Sequence, residues 1–229
     1  MQKRHQPLNP GYFYHIYNRG NNRENLFYKP GNYIYFLKKY DHYLNDYLET
    51  YAFCLLPNHF HLLVRAKELR DLPGFENHTS GRIKREDNPA GLLPHARKDL
   101  PGLKDLEGLL PTLISKQFSK FFNAYAKAIN KQQNRVGSLF QKNFKRIRIE
   151  NRKYLTNLIY YIHANPQIHK LTDDFKNWPY SSYGKFLEAK KTHLPKEEVL
   201  NWFGSIEEYK TYHAIVQDMK QTRRYQIEE

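Results

Sequence analysis

Two hydrophobic periods take turns along the first 165 residues, and their order leaves few ways for the chain to fold. Residues 12–19 (Tyr-Phe-Tyr-His-Ile-Tyr-Asn-Arg) are rich in strand formers, and Gly20-Asn21-Asn22 supplies turn chemistry after them. Over 32–48, Ile34, Leu37, Tyr40, Leu44 and Leu48 recur at spacings of three and four, which predicts an amphipathic helix. Residues 50–56 and 60–64 are short apolar runs parted by Pro57-Asn58, a pair suited to a tight reversal, and so predict a hairpin. A second helix is predicted over 111–131, with Ile114, Phe118, Phe121, Phe122, Tyr125 and Ile129 on one face and Lys116, Lys120, Lys127 and Lys131 on the other. Residues 139–149 read as a strand in which Phe144, Arg146 and Arg148 point one way and Lys145, Ile147 and Ile149 the other. A helix over 152–164 ends at Asn165-Pro166, because the residue before proline resists helical geometry.

This order predicts an α+β fold with a ferredoxin-like βαββαβ core: an antiparallel sheet, helices on one face, and the first and third strands at its centre. Residues 1–170 form the predicted core domain. Within it, 67–108 change character: charged and turn-forming residues dominate, and Asp-Leu-Pro-Gly occurs at both 71–74 and 99–102, marking a long insertion whose echo is too short to be a structural repeat. Residues 171–229, with Trp178-Pro179-Tyr180-Ser181-Ser182-Tyr183 and a helical stretch around 199–216, form a C-terminal extension with extra helices, not a second independent domain.

Composition narrows the partners. The chain has 37 basic against 23 acidic side chains, a formal net charge of +14, so its surface field favours polyanions and nucleic acid comes first. No run of 18 apolar residues exists, and Met1-Gln2-Lys3-Arg4 lacks the apolar core of a signal peptide, so no membrane partner is expected and the predicted location is cytoplasmic. Cys54, the lone cysteine, has no disulfide partner and sits in an apolar run, where packing is its natural role. The many tyrosines and phenylalanines serve as core or, in a basic protein, as platforms for unpaired bases; core is the commoner fate.

The chemistry-bearing residues fall on two of these elements. In His59-Phe60-His61 the two-residue period of a strand puts both imidazoles on one face, where they can share a cation. Alone, such a pair is more often hydrogen-bonded structure than a metal site. In the last core helix Leu155, Leu158, Ile159 and Ile162 define the buried stripe, Tyr161 sits on its margin, and Asn165 follows one turn later on the same edge. Tyr160 projects towards solvent, Tyr154 lies two turns before Tyr161 as its rival, and His163 lies on the other flank. Without the histidines, Tyr161 reads as a packing ring.

Five stretches together carry a family resemblance: Tyr14-His15-Ile16-Tyr17-Asn18-Arg19-Gly20, Leu56-Pro57-Asn58-His59-Phe60-His61-Leu62-Leu63-Val64, Gly137-Ser138-Leu139-Phe140-Gln141-Lys142-Asn143-Phe144, Tyr161-Ile162-His163-Ala164-Asn165-Pro166 and Trp178-Pro179-Tyr180-Ser181-Ser182-Tyr183. In content and order the chain resembles the REP-associated tyrosine transposases, relatives of the single-tyrosine insertion-sequence transposases in the His-hydrophobic-His (HUH) superfamily. The resemblance implies that residues 1–170 are a catalytic transposase domain, that His59 and His61 are metal ligands and that Tyr161 is the nucleophile. In better-known relatives a glutamine four residues after the tyrosine completes the metal site; here Asn165 stands there, and its shorter arm leaves water or a carboxylate elsewhere as alternative third ligands.

The implied activity is cleavage and rejoining of single-stranded DNA near hairpins through a 5′-phosphotyrosine intermediate, with a divalent ion, Mg²⁺ or Mn²⁺ by ligand type and zinc not excluded by it. Lys3, Arg4, Arg19, Lys116, Lys120, Lys127, Lys131, Arg146 and Arg148 are the candidate DNA contacts, although the lysine row fits a solvated helix face equally well. Two other readings stay open: a hairpin DNA- or RNA-binding protein without cleavage, and a nuclease in which the histidines activate water. Monomer and homodimer are both compatible with the resemblance.

Overall fold

A computed structural model of the chain describes residues 6–73, 103–151 and 154–215. The elements run β1 (Phe13–Arg19), α1 (Pro30–Leu44), β2 (Leu48–Leu56), β3 (His59–Ala66), α2 (Leu103–Gln132), β4 (Lys145–Ile149), α3 (Leu155–Ile168), α4 (Lys196–Phe203) and α5 (Ile206–Ala214). The four strands form one sheet in the order β2-β3-β1-β4, every pair antiparallel, with β1 and β3 central as a ferredoxin-like core requires.

Strand alternation sorts the sheet into two apolar faces. On the first, Tyr14 and Ile16 of β1 and Phe60, Leu62 and Val64 of β3 meet Phe36, Tyr40 and Leu44 of α1 and Ile114, Phe118, Phe121 and Tyr125 of α2. The two crossover helices therefore share one face, as the sequence predicts. On the second, Phe13, Cys54, Leu56 and Leu63 pack against Leu155, Leu158, Ile159 and Ile162 of α3, joined by Phe175, Tyr183, Phe186, Val199 and Tyr209. The C-terminal segment thus shares a core with the sheet, and Cys54 lies buried there as packing.

Residues 178–182 also close the exposed edge of β2. The Leu55 amide donates to the Tyr180 carbonyl (2.9 Å), the Ser182 amide to the Phe53 carbonyl (2.9 Å) and the Trp178 indole to the Leu55 carbonyl (2.9 Å). An edge strand left open is a template for unwanted pairing, and this short run removes it.

Element ends depart from the sequence reading in several places: α1 stops at Leu44, so Leu48 opens β2, and the stretch read around 199–216 breaks at Gly204 into α4 and α5. The strand read over 139–149 is regular only from Lys145, because Phe140 bridges to Gly20 and Asn143 turns the chain at φ 63°. Helix α2 begins at Leu103, eight residues before 111, and runs through Pro111; of the insertion read over 67–108, residues 74–102 lie outside the described residues. Helix α3 continues past Asn165-Pro166 to Ile168, since burial of every residue from Leu158 to Pro166 outweighs the one ladder bond that proline removes. Among the described residues no helix is long and apolar enough to cross a membrane.

Tyr160 corrects a further expectation: it is 6% exposed, not turned to solvent, because Phe175, Tyr212 and His213 pack around it at ring separations of 5.9, 6.3 and 5.7 Å. Beside it runs a buried polar chain with defined directions. His213 Nδ1 donates to the Tyr209 carbonyl (2.8 Å), so a neutral His213 accepts at Nε2 from His163 Nδ1 (3.0 Å). His163 Nε2 then accepts from Ser182 Oγ (2.7 Å), which itself accepts from the Phe53 amide (2.9 Å).

Protonating His213 would set two N–H groups against each other. Burial, against the Tyr209 carbonyl bond that favours the charged form, lowers its pKa to about 4, with Lys176 adding to the depression. The unfolded chain, with an ordinary imidazole, binds the proton first, so stability falls as pH drops from about 6.5 towards 4. His213 alone should cost roughly 2 kcal/mol between pH 8 and pH 5, read from urea midpoints, and His213→Asn should show a shallower pH dependence than the wild type.

Candidate active site

The second face of the sheet holds the chemistry. His59 and His61 stand on β3 with side chains on this face, both buried, their rings 5.3 Å apart. His59 Nδ1 lies 2.6 Å from Asn58 Oδ1. An amide oxygen only accepts, so Nδ1 carries the proton and Nε2 keeps its lone pair. His61 Nδ1 lies 2.9 Å from His15 Nε2, the His15 ring coming from the neighbouring β1. Neither His59 Nε2 nor His61 Nε2 has a hydrogen-bond partner among the described residues.

Burial keeps these rings neutral. It lowers the pKa of His15 and of His59 to about 3, with His169 and Arg19 pushing His59 the same way, and it holds His61 well below the usual imidazole range, helped by His15, His59 and His169. A neutral imidazole is the form that ligates a metal.

Helix α3 brings Tyr161 to the same place. Its ring, 1% exposed, stands edge-on to His61 at 5.6 Å and to His15 at 6.2 Å. One turn on, Asn165 Nδ2 donates to the Tyr161 carbonyl (2.7 Å), which fixes the orientation of the amide and leaves Oδ1 buried with no partner among the described residues. His59 Nε2, His61 Nε2 and Asn165 Oδ1 are thus each buried without a hydrogen-bond partner among the described residues, and imidazole nitrogen with amide oxygen is a donor set that fits a divalent cation. Among the described residues no group of three or more His, Cys, Asp or Glu is arranged to hold a metal.

Other residues singled out by sequence separate from this cluster to different degrees. Tyr154 stands just before α3, roughly 10 Å along the helix axis from Tyr161. Arg19 pairs in register with His59 at the end of β1, beside the cluster. Lys116, Lys120, Lys127 and Lys131 are exposed on α2, across the sheet from the histidines. Arg146 and Arg148 also side with α2: Arg146 donates to Ser115 Oγ (2.9 Å) and covers the Phe144 ring, and Arg148 pairs with Glu150 (2.9 Å) over Tyr12. The structure does not bring them to the histidine face. Lys145, in register with Tyr17, is the basic residue that β4 presents there. Lys3 and Arg4 lie outside the described residues.

Sequence reasoning missed two members of the cluster. His15 was visible only as part of a motif, although strand alternation puts it with Phe13 and Tyr17 on one face. His169 caps α3 with its ring 4.7 Å from His59, and the four-residue row Tyr161, Asn165, His169 was the signal that could have found it.

No family model matches the chain. It is similar to a Haemophilus influenzae protein provisionally described as a REP-associated tyrosine transposase, 28% identical over 141 residues that cover 62% of this chain and 62% of that relative. The chain thus matches less than two thirds of the length of the curated relative. Among solved structures it is similar to one described as a REP-associated tyrosine transposase bound to a REP hairpin, at 17% identity and a TM-score of 0.48, covering 82% of this chain and 86% of that one. The resemblance read from the five motifs is borne out.

Gly20, the last residue of the first motif, has a steric reason to be glycine. A Cβ there would stand 1.9 Å from the Glu24 carbonyl oxygen, which is backbone and cannot swing away. The Gly20 amide also donates to the Asn58 carbonyl (2.8 Å), next to the side chain that holds His59. Gly20→Ala should therefore destabilise the fold by about 1–3 kcal/mol, seen as a lower urea midpoint at unchanged slope.

Proposed function

We propose that the chain is a tyrosine-dependent DNA transposase or endonuclease that cuts and rejoins single-stranded DNA beside a hairpin, using a divalent ion, Mg²⁺ or Mn²⁺. The observation that carries this reading is the packing of the Tyr161 ring on the His61 ring at 5.6 Å, with His59 Nε2, His61 Nε2 and Asn165 Oδ1 buried and without hydrogen-bond partners among the described residues. One chain supplies both the tyrosine and the histidines.

His59, His61 and Asn165 would hold the ion, which when bound offsets charge on the phosphate oxygens in the transition state. Asn58 keeps the His59 proton on Nδ1 and so leaves Nε2 open to ligate. Tyr161 attacks phosphorus in line: the bond from its Oη to phosphorus forms, the bond to the 3′-oxygen breaks, and the phenolic proton ends on that oxygen. The products are a 5′-phosphotyrosine and a free 3′-hydroxyl, and attack by a second 3′-hydroxyl reverses the step and rejoins the strand. Arg19 and Lys145, on the histidine side, are placed to meet phosphates of the single strand, and the exposed lysine row of α2 offers a second basic surface for the duplex part of a hairpin.

Trapping tests the reaction. Labelled single-stranded oligonucleotide carrying a hairpin, incubated with the protein and Mn²⁺ and run on a denaturing gel, should yield a protein-linked adduct. Tyr161→Phe should abolish it, and His59→Ala or His61→Ala should reduce it at least about a hundredfold. Free fragments without an adduct would favour water as nucleophile, neither product would favour a binding protein, and an adduct formed by Tyr161→Phe would move the nucleophile elsewhere.

Binding gives an independent check. Affinity for the oligonucleotide in EDTA should fall steeply with salt, and Lys145→Gln should lower the slope of log K against log salt by about 1, as expected for one lost phosphate contact.

A further inference from the structure

The two histidines of β3 solve the same problem in different ways, and the difference assigns a role to His15. A histidine ligates through one nitrogen only when its proton resides on the other, so the group facing Nδ1 decides whether Nε2 is open. For His59 that group is Asn58 Oδ1, which can only accept. For His61 it is another imidazole, His15 Nε2, at 2.9 Å. The two rings are near coplanar, 19° apart, and both fully buried, so the hydrogen bond is direct and shielded from water.

A neutral imidazole pair joined this way has two arrangements. In one, His61 donates from Nδ1 to His15 Nε2, and His61 Nε2 bears a lone pair. In the other, His15 donates from Nε2, and His61 must carry its own proton on Nε2, which closes that atom to a cation. We propose that His15 is a positioning residue that accepts the Nδ1 proton of His61 and so holds His61 in its ligating tautomer. This inference rests on the proposed metal site.

Placement supports the assignment. His15 stands in register with Leu63, one strand pair diagonal to His61, while Tyr17 stands directly opposite His61 and stacks on it at 5.7 Å. Tyr17 also lies 4.9 Å from His15, so the two imidazoles are wedged between the Tyr17 ring and the Tyr161 edge with little freedom to rotate. The Tyr14-His15-Ile16-Tyr17 stretch thus supplies the supporting shell for a ligand carried by the next strand of the sheet. His15 itself touches neither DNA nor metal in this account.

The test measures metal affinity and tautomer, not turnover alone. Mn²⁺ titrated into the full-length protein without DNA, followed by the electron paramagnetic resonance of free Mn²⁺, should give a dissociation constant about 10- to 100-fold weaker for His15→Phe than for wild type. His15→Gln, whose Oε1 can accept from His61 Nδ1, should recover most of that loss. A purely structural role for His15 would lower stability in EDTA without separating Phe from Gln in Mn²⁺ affinity, and that outcome overturns the inference. Should both variants fail to fold, two-bond proton–nitrogen correlation spectra of ¹⁵N-histidine-labelled wild type with Mg²⁺ decide it: the inference requires the His61 proton on Nδ1 and a bare His15 Nε2, and a proton on His61 Nε2 overturns it. His61→Ala separates this inference from the reading beneath it. If His61→Ala and His59→Ala bind Mn²⁺ like wild type, the metal site itself fails; if they lose Mn²⁺ while His15→Phe does not, only the role of His15 fails.

Discussion

The helix that carries Tyr161 is buried around its whole circumference over 158–166, and the arrangement of the molecule follows from hiding it. From Leu158 to Pro166 every residue of α3 is buried. A helix of this kind cannot rest on a sheet with its far side in water, because each large apolar side chain left exposed would forfeit about 1.5–3 kcal/mol. The sheet covers one side through Cys54, Leu56 and Leu63, and the segment from Phe175 to Tyr209 covers the other. The C-terminal extension is therefore the second wall of the compartment in which the tyrosine sits.

That second wall also sets the roll of the helix. His163 and Tyr161 are two residues apart, about 200° around the axis, so they face opposite ways. His163 is held by Ser182 Oγ and His213 Nε2 on the C-terminal side. Turning α3 to move Tyr161 away from the histidines would break both bonds in a buried setting, where each unsatisfied group costs about 1–3 kcal/mol. The polar chain from Phe53 to Tyr209 thus works at a distance on the cluster across the helix.

What was legible in the sequence is what depends on local period. Alternation put His59 and His61 on one face, the three- and four-residue spacings found α1 and most of α2, and their order gave the sheet topology. Alternation alone, however, says which residues share a face and not which layer covers it. Both faces of β3 are apolar, so nothing in the pattern distinguishes the face of α2 from that of α3, and it does not tell that Arg146 and Arg148, candidate DNA contacts, side with α2. The burial of Tyr160 was missed because α3 was read as a surface helix with one wet side. The absence of any charged residue from Leu155 to Ile168 was the sign that it has none. His15 was hidden for another reason: its role depends on a pairing across 46 residues of sequence that only the sheet creates.

Under the proposed function, closure on all sides limits how a strand of DNA could reach the phenol. With Tyr161 1% exposed, a phosphodiester can approach only after some part of the cluster gives way. Undocking α3 would strip apolar contacts from both walls and break the His163 bonds, at a cost comparable with the 5–15 kcal/mol that holds a whole domain folded. Rotating one side chain costs far less, of the order of a rotamer change and a few contacts. Where α3 ends, His169 is half-buried with its ring 4.7 Å from His59, and Lys170 is exposed in a left-handed turn at φ 55°. Under the proposed function, energetics therefore favour access by side-chain rotation, with the helix axis, the histidine pair and their Nδ1 partners left in place.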